Sequence, residues 1–150
     1  MKKKSLSAKK KIHNKLLVNL KNPSIYKIYK DFNNFVKFNL NKSNFSVAIS
    51  GGPDSLALAY FSKCYSLYNK VKVNYYHVDH KLRKESYLEA KKLKFLLKNF
   101  NINCKILKCT GKKPKSNIQA VARTRRYNLI YNECIKDKSN FIFMAHHLDD

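Results

Sequence analysis

A chain of 150 residues that is 44% hydrophobic and 13% aromatic is long enough to bury the core of one domain, which excludes wholesale disorder. Its 32 Lys and Arg against 9 Asp and Glu leave a formal charge of +23, which fits a polyanionic partner such as RNA, DNA or an anionic membrane, although a genome biased toward Lys and Asn codons produces the same excess without a binding role. No apolar run reaches the roughly 18 residues of a membrane-spanning helix, and the four cysteines include no CxxC pair, so the simplest expectation is a cytoplasmic chain with reduced thiols and no membrane partner.

In chain order, residues 1–21 hold eight lysines and no acid, the composition of a solvated or RNA-contacting basic arm. Residues 22–150 read as one domain. It opens with a helix in which Ile25, Ile28 or Tyr29, Phe32, and Phe35 or Val36 recur at helical spacing, started by Pro23 or Ser24. A strand is predicted over 45–50, a helix over 53–69, and a strand over 71–78 with Val71, Val73 and Tyr75 alternating. An amphipathic helix over 85–100, a strand over 102–107, a polar loop, a long helix over 118–137 and a strand over 140–145 complete the series. Strand and helix alternate with connections too long for hairpins, which predicts an α/β doubly wound, mostly parallel sheet with flanking helices, Rossmann-like in outline. Such sheets bind ligands beyond the carboxyl ends of their strands. The polar residues of the chain collect at those ends: "SGGPDS" after the first strand, "HVDHKLR" at the second, Cys109 and a basic loop after the third, and "HHLDD" after the fourth.

The stretch "FSVAISGGPDSLALAYF" runs from a strand through a glycine pair into a helix. Glycines there let the backbone turn with positive φ and approach a ligand closely, and the helix that follows offers unpaired amides at the positive end of its dipole. Ser50 and Ser55 add hydroxyls, and Pro53 suits the first helical position. Asp54 would repel a phosphate unless a cation such as Mg²⁺ stood between them. The GxxxxGK[ST] spacing of a Walker A loop is absent. A bare Gly-Gly turn with an Asp near the helix start is the plainer reading of these residues alone.

The SGGxDS pattern between strand and helix resembles the pyrophosphate-binding loop of the PP-loop ATPases, which bind ATP and adenylate a substrate oxygen. With "HVDHKLR" (77–83), "NIQAVARTRRY" (117–127) and "MAHHLDD" (144–150), residues 45–150 resemble the tRNA(Ile)-lysidine synthase family, with two departures. Ala145 stands where that family usually has glycine, and only Leu148 separates His147 from the Asp149–Asp150 pair. The resemblance also leaves a fifth strand and later tRNA-binding domains unaccounted for.

The resemblance implies an ATP- and Mg-dependent, tRNA-modifying ligase. Its partners would be L-lysine and the isoleucine tRNA with a CAU anticodon, whose wobble cytidine is converted to lysidine with release of AMP and pyrophosphate. It assigns Ser50, Gly51, Gly52, Pro53, Asp54, Ser55, His77 and Asp79 to ATP, Asp54 to the metal, and Asp54, Arg126 and Asp150 to catalysis. His77, Asp79 and His80 at a strand end could equally form a loop-stabilising hydrogen-bond set. Arg123 and Arg126, three apart, could clamp a phosphate or a carboxylate, or form a solvated basic face. Adjacent His146 and His147 diverge on regular backbone, which disfavours joint chelation. A PP-loop thiolase is the alternative enzyme, and a truncated chain that binds ATP or RNA without turnover is the non-catalytic one.

Overall fold

The computed structural model describes residues 16–81, 85–111 and 116–145. After a 3₁₀ turn at Asn19–Lys21, helix α1 spans Pro23–Leu40 and strand β1 Phe45–Ala48, followed by α2 (Pro53–Asn69), β2 (Val73–Asp79), α3 (Ser86–Lys98), β3 (Cys104–Lys108), α4 (Ile118–Lys136) and β4 (Phe141–Met144). The side chain of Asn22 accepts from the amides of Ser24 and Ile25, at 3.0 and 3.3 Å, and Pro23 follows it, so α1 starts where its capping residues place it. Of the alternatives along its face, Tyr29 and Val36 turn inward, whereas Ile28 and Phe35 remain exposed.

All strand pairings are parallel, in the order β3-β2-β1-β4. Phe45 of β1 lies opposite Val73 on one side and Phe141 on the other, and Tyr75 of β2 lies opposite Cys104 of β3. The expected doubly wound parallel sheet is therefore present. From β1 the chain steps outward through α2, β2, α3 and β3, and α4 then carries it back past β1 to the opposite edge. Successive right-handed crossovers that reverse direction must use opposite faces of the sheet. Accordingly α1, α2 and α3 pack on one face, around Phe45, Val47, Tyr65, Tyr75, Leu93 and Leu97, while α4 covers the other, where Ile130 and Cys134 meet Tyr76, Val78 and Leu107.

The first cluster is aromatic: the fully buried Phe45 ring sits 5.1 Å from Phe143 and 5.9 Å from Tyr65, edge to face. Each fully buried side chain of this size contributes about 1.5–3 kcal/mol relative to exposure. Leu16 and Leu20, within the stretch assigned to the basic arm, are buried as well, and the Tyr60 hydroxyl donates to the Leu16 carbonyl at 2.8 Å.

The alternation expected for β2 does not describe it. The strand starts at Val73, and Tyr75, Tyr76, Val78 and Asp79 are all buried. A central parallel strand has helices against both faces, so inward and outward lose their meaning. The other boundaries shift by one or two residues at strand and helix ends. All four cysteines are buried and unbridged, and no described helix is long and apolar enough to cross a membrane.

Candidate nucleotide site

The order in which the chain adds strands reverses at β1, with β2 and β3 on one side of it and β4 on the other, so the parallel β1 and β4 open a crevice at their carboxyl ends, the point where such sheets take ligands. β1 leads into it through Ile49, whose amide donates to the Tyr76 carbonyl at 2.8 Å and keeps the strand course to the corner. The chain then turns at Ser50–Gly51–Gly52 and enters α2 at Pro53. Gly51 has φ +104°, a region L side chains rarely adopt; an added Cβ would meet Leu93 only at 3.8 Å, so conformation rather than space demands glycine there. Gly52, extended at φ −73° and ψ 165°, is the N-cap, and Asp54 lies in the exposed first turn.

Ser55 organises this corner. Its hydroxyl, nearly excluded from solvent, accepts from the Gly51 amide at 3.1 Å and from the Ser50 hydroxyl at 3.1 Å, and donates to the Gly52 carbonyl at 2.9 Å. The Gly52 amide reaches Ser50 Oγ at 3.4 Å. A hydroxyl that accepts from backbone amides holds the place an anionic oxygen takes in a loop-to-helix phosphate site, so the turn is shaped before any ligand arrives.

Facing the turn is a cleft of about 290 Å³. Ser50 and Ser55 form one wall, His77, Asp79 and His80 from the end of β2 another, and Arg126 of α4 closes a third. His77 Nδ1 lies 2.7 Å from the Ile49 carbonyl; because a carbonyl can only accept, Nδ1 donates to it, and an acceptor role falls to Nε2. Asp79 is 2% exposed. Its Oδ1 accepts from the Lys81 amide at 3.0 Å, whereas its Oδ2 is buried with no hydrogen-bond partner among the described residues. A buried carboxylate oxygen left unmatched is costly, and a donor on a bound ligand would relieve that cost. Burial, reinforced by the Arg126 guanidinium and by His77, holds the His80 imidazole below its ordinary pKa despite the opposing charge of Asp79. Cys109 Sγ, 3.8 Å from His80 Nδ1, is pushed up by burial and stays a thiol.

The structure thus brings Ser50, Ser55, His77, Asp79 and Arg126 to one cleft. Gly51 borders an adjoining groove of about 450 Å³ with Lys92 and Leu96, which shares Ser50 and His77 with the cleft. Gly52, Pro53 and Asp54 shape the turn and first helical turn without lining the cleft. Arg123 does not line it either: its guanidinium lies 6.0 Å from the Tyr127 ring centre, and that of Arg126 lies 5.3 Å from it. Asp150, with His146, His147 and Asp149, lies outside the described residues. Ser86 and Glu89 of α3 also line the cleft. Sequence reasoning missed them, although their place one short loop beyond "HVDHKLR" put the start of α3 at the same sheet edge.

Among the described residues, no three His, Cys, Asp or Glu side chains gather to hold a metal. Mg²⁺ is commonly held by one or two carboxylates together with substrate phosphates and water, so Asp54 beside a phosphate-shaped turn fits that mode without a protein cage.

A parallel α/β sheet with a glycine turn feeding a helix at its switch point, opposite a polar cleft, defines a nucleotide-binding domain of the doubly wound class. More narrowly, the chain belongs to the PP-loop domain family, whose model matches residues 21–150. It is 39% identical over 108 residues to the tRNA(Ile)-lysidine synthase of Bartonella quintana (strain Toulouse), which covers 69% of this chain and 22% of that protein. It is 33% identical over 112 residues to the tRNA(Ile)-lysidine synthase of Rickettsia akari (strain Hartford), covering 75% of this chain and 26% of that protein. The chain thus spans about a quarter or less of the curated relatives it matches.

Proposed function

We propose that this domain binds ATP with its triphosphate at the Ser50–Ser55 turn and serves the ATP-dependent step of tRNA lysidine formation. The observation that carries the reading is the joining of a pre-shaped phosphate turn to a cleft that holds a buried Asp79 oxygen unmatched among the described residues. Asp79 Oδ2 would take an N–H donor from the base or from the incoming amine, and His77 Nε2 is a second acceptor for the same purpose. In phosphate binding, the Ser50 and Ser55 hydroxyls turn from one another toward phosphate oxygens, releasing the Gly51 amide as a further donor. Asp54 would hold Mg²⁺, which shares the charge of the departing pyrophosphate. Arg126 supplies positive charge on the far wall, placed to orient a phosphate or carboxylate.

In the reaction so served, the C2 oxygen of the wobble cytidine in the CAU-anticodon isoleucine tRNA attacks the α-phosphorus and pyrophosphate leaves. The amine of L-lysine then attacks C2, AMP departs with that oxygen, and the amine gives up its proton to a base. Asp150 is proposed, on the family resemblance, as a further catalytic residue of this reaction. Attack geometry of this kind needs reacting atoms within about 3–3.5 Å and draws on substrate contacts remote from the chemistry. The test is reconstitution with labelled lysine, ATP and the isoleucine tRNA, omitting each in turn. The expected result is little transfer by the 150-residue chain alone and lysine-dependent AMP release when the polypeptide is extended to the length of its relatives. Incorporation of sulfur in place of lysine would favour the thiolase alternative, and ATP and RNA binding without turnover in the extended chain would favour the non-catalytic one.

A further inference from the structure

Helix α3 buries Ala90, Leu93 and Leu97 against the sheet and turns a different set outward. Tyr87, Lys91, Lys94 and Lys98 recur at spacings of four, three and four, so they form one stripe with about one residue for each 5.4 Å turn. Lys108, at the end of the edge strand β3, joins it: the Lys91 and Lys108 ammonium groups lie 4.4 and 5.4 Å from the centre of the Tyr87 ring. Lys94 is half-buried beside β3, where its charge opposes the burial that pushes the Cys104 thiol up to about 12. No carboxylate interrupts the stripe; the acids of α3, Glu85 and Glu89, stand off it, and Glu89 lines the cleft. Tyr87 remains 44% exposed despite its two cations.

One end of this stripe meets the nucleotide cleft, because Ser86, next to Tyr87, is part of the cleft wall. A row of cations with an aromatic face at the end nearest a nucleotide pocket has the composition of a surface that tracks a nucleic-acid backbone and offers a stacking platform. We infer that Tyr87, Lys91, Lys94, Lys98 and Lys108 form an RNA-binding track along α3 and the β3 edge, which leads a strand of RNA to the cleft. This rests on the proposed RNA substrate, and it gives the described residues a phosphate-binding surface of their own. An anionic membrane is the less fitting occupant: it would engage the charges without accounting for their convergence on the cleft.

The test compares a triple variant, Lys91→Gln/Lys94→Gln/Lys98→Gln, with a control that removes the same charge from exposed positions of α1, Lys27→Gln/Lys30→Gln/Lys37→Gln. The probe is a short RNA stem-loop with CAU in its loop, titrated across a series of salt concentrations. Three lost phosphate contacts should make the plot of log affinity against log salt shallower by about 2 for the α3 variant, and by much less for the control. A third protein, Lys91→Arg/Lys94→Arg/Lys98→Arg, should restore the slope and so exclude a folding defect. Equal effects from the α3 and α1 variants would overturn the track, since the charge would then act only in bulk. An unchanged RNA slope with lost binding to phosphatidylserine vesicles would overturn it in favour of a membrane surface. Mg-ATP binding by the same proteins is read separately, so failure of the ATP site would not be confused with failure of the track.

Discussion

Removing the Ser55 hydroxyl tests whether the phosphate turn is held in shape by the bonds seen around it. Ser55→Ala deletes three hydrogen bonds, from the Gly51 amide, from the Ser50 hydroxyl and to the Gly52 carbonyl. A hydrogen bond contributes about 0.5–1.5 kcal/mol net, but Ser50 and Gly51 are exposed and can rebind water, so the expected loss is about 1–2 kcal/mol rather than the full sum. If that energy is what keeps the turn ready for a phosphate, ATP affinity should fall by roughly five- to thirtyfold at the same time. Urea unfolding measures the first quantity and calorimetric titration of ATP the second. Ser66→Ala is the matched control: it removes one bond, from the Ser66 hydroxyl to the Val71 carbonyl at 2.7 Å, at the other end of α2, and should cost about 1 kcal/mol without altering ATP affinity. Ser55→Thr, which keeps the hydroxyl, should lie between wild type and Ser55→Ala in affinity. A folded Ser55→Ala protein with wild-type affinity for ATP would refute the reasoning, because the turn would then need no internal scaffold.

Gly51→Ala places an L side chain at φ +104° and should destabilise the protein by about 1–2 kcal/mol even though the site has room for a methyl group; urea unfolding at the wild-type level would show that the turn relaxes instead. His80, held by burial below the ordinary imidazole value of about 6.5, makes a pH prediction. As pH falls through that value the unfolded chain takes up a proton that the folded one resists, so stability drops on acidification and levels off once the folded imidazole protonates as well. His80→Gln should flatten that decline below about pH 7, and parallel pH curves for the two proteins would remove His80 as its source.

How much of this was legible beforehand varies with the physics of each element. Helix α2 could be read from 53 to 69 because Pro53 sets its start and the apolar pattern ends beside Lys70, which adopts the left-handed C-cap conformation. The turn at Ser50–Gly52 was legible for the same local reason: only glycine tolerates the conformation of Gly51. The layering was not. Nothing local to the sequence of α4 says that it, alone among the described helices, covers the second face, and this crossing makes β2 a strand buried on both sides, whose pattern cannot alternate. The state of Asp79 was equally hidden, since a carboxylate at a strand end is usually solvated; here it pairs with Lys108 of β3 and lines a cleft shared with Arg126 of α4, neighbours distant in sequence. The Tyr87 and Lys108 pairing went unread because it joins α3 to the far end of an edge strand, ten residues after that helix ends.

The central claim is that the Ser50–Ser55 turn and the cleft opposite it take ATP with Mg²⁺, and calorimetric titration of ATP with and without Mg²⁺ tests it most directly. Wild-type protein should bind more tightly with the metal, Asp54→Ala should lose that metal dependence, and Asp79→Asn should bind more weakly whenever Oδ2 receives an N–H from the ligand. Absence of ATP binding by the folded wild-type chain, or the same metal dependence in Asp54→Ala, would contradict the account.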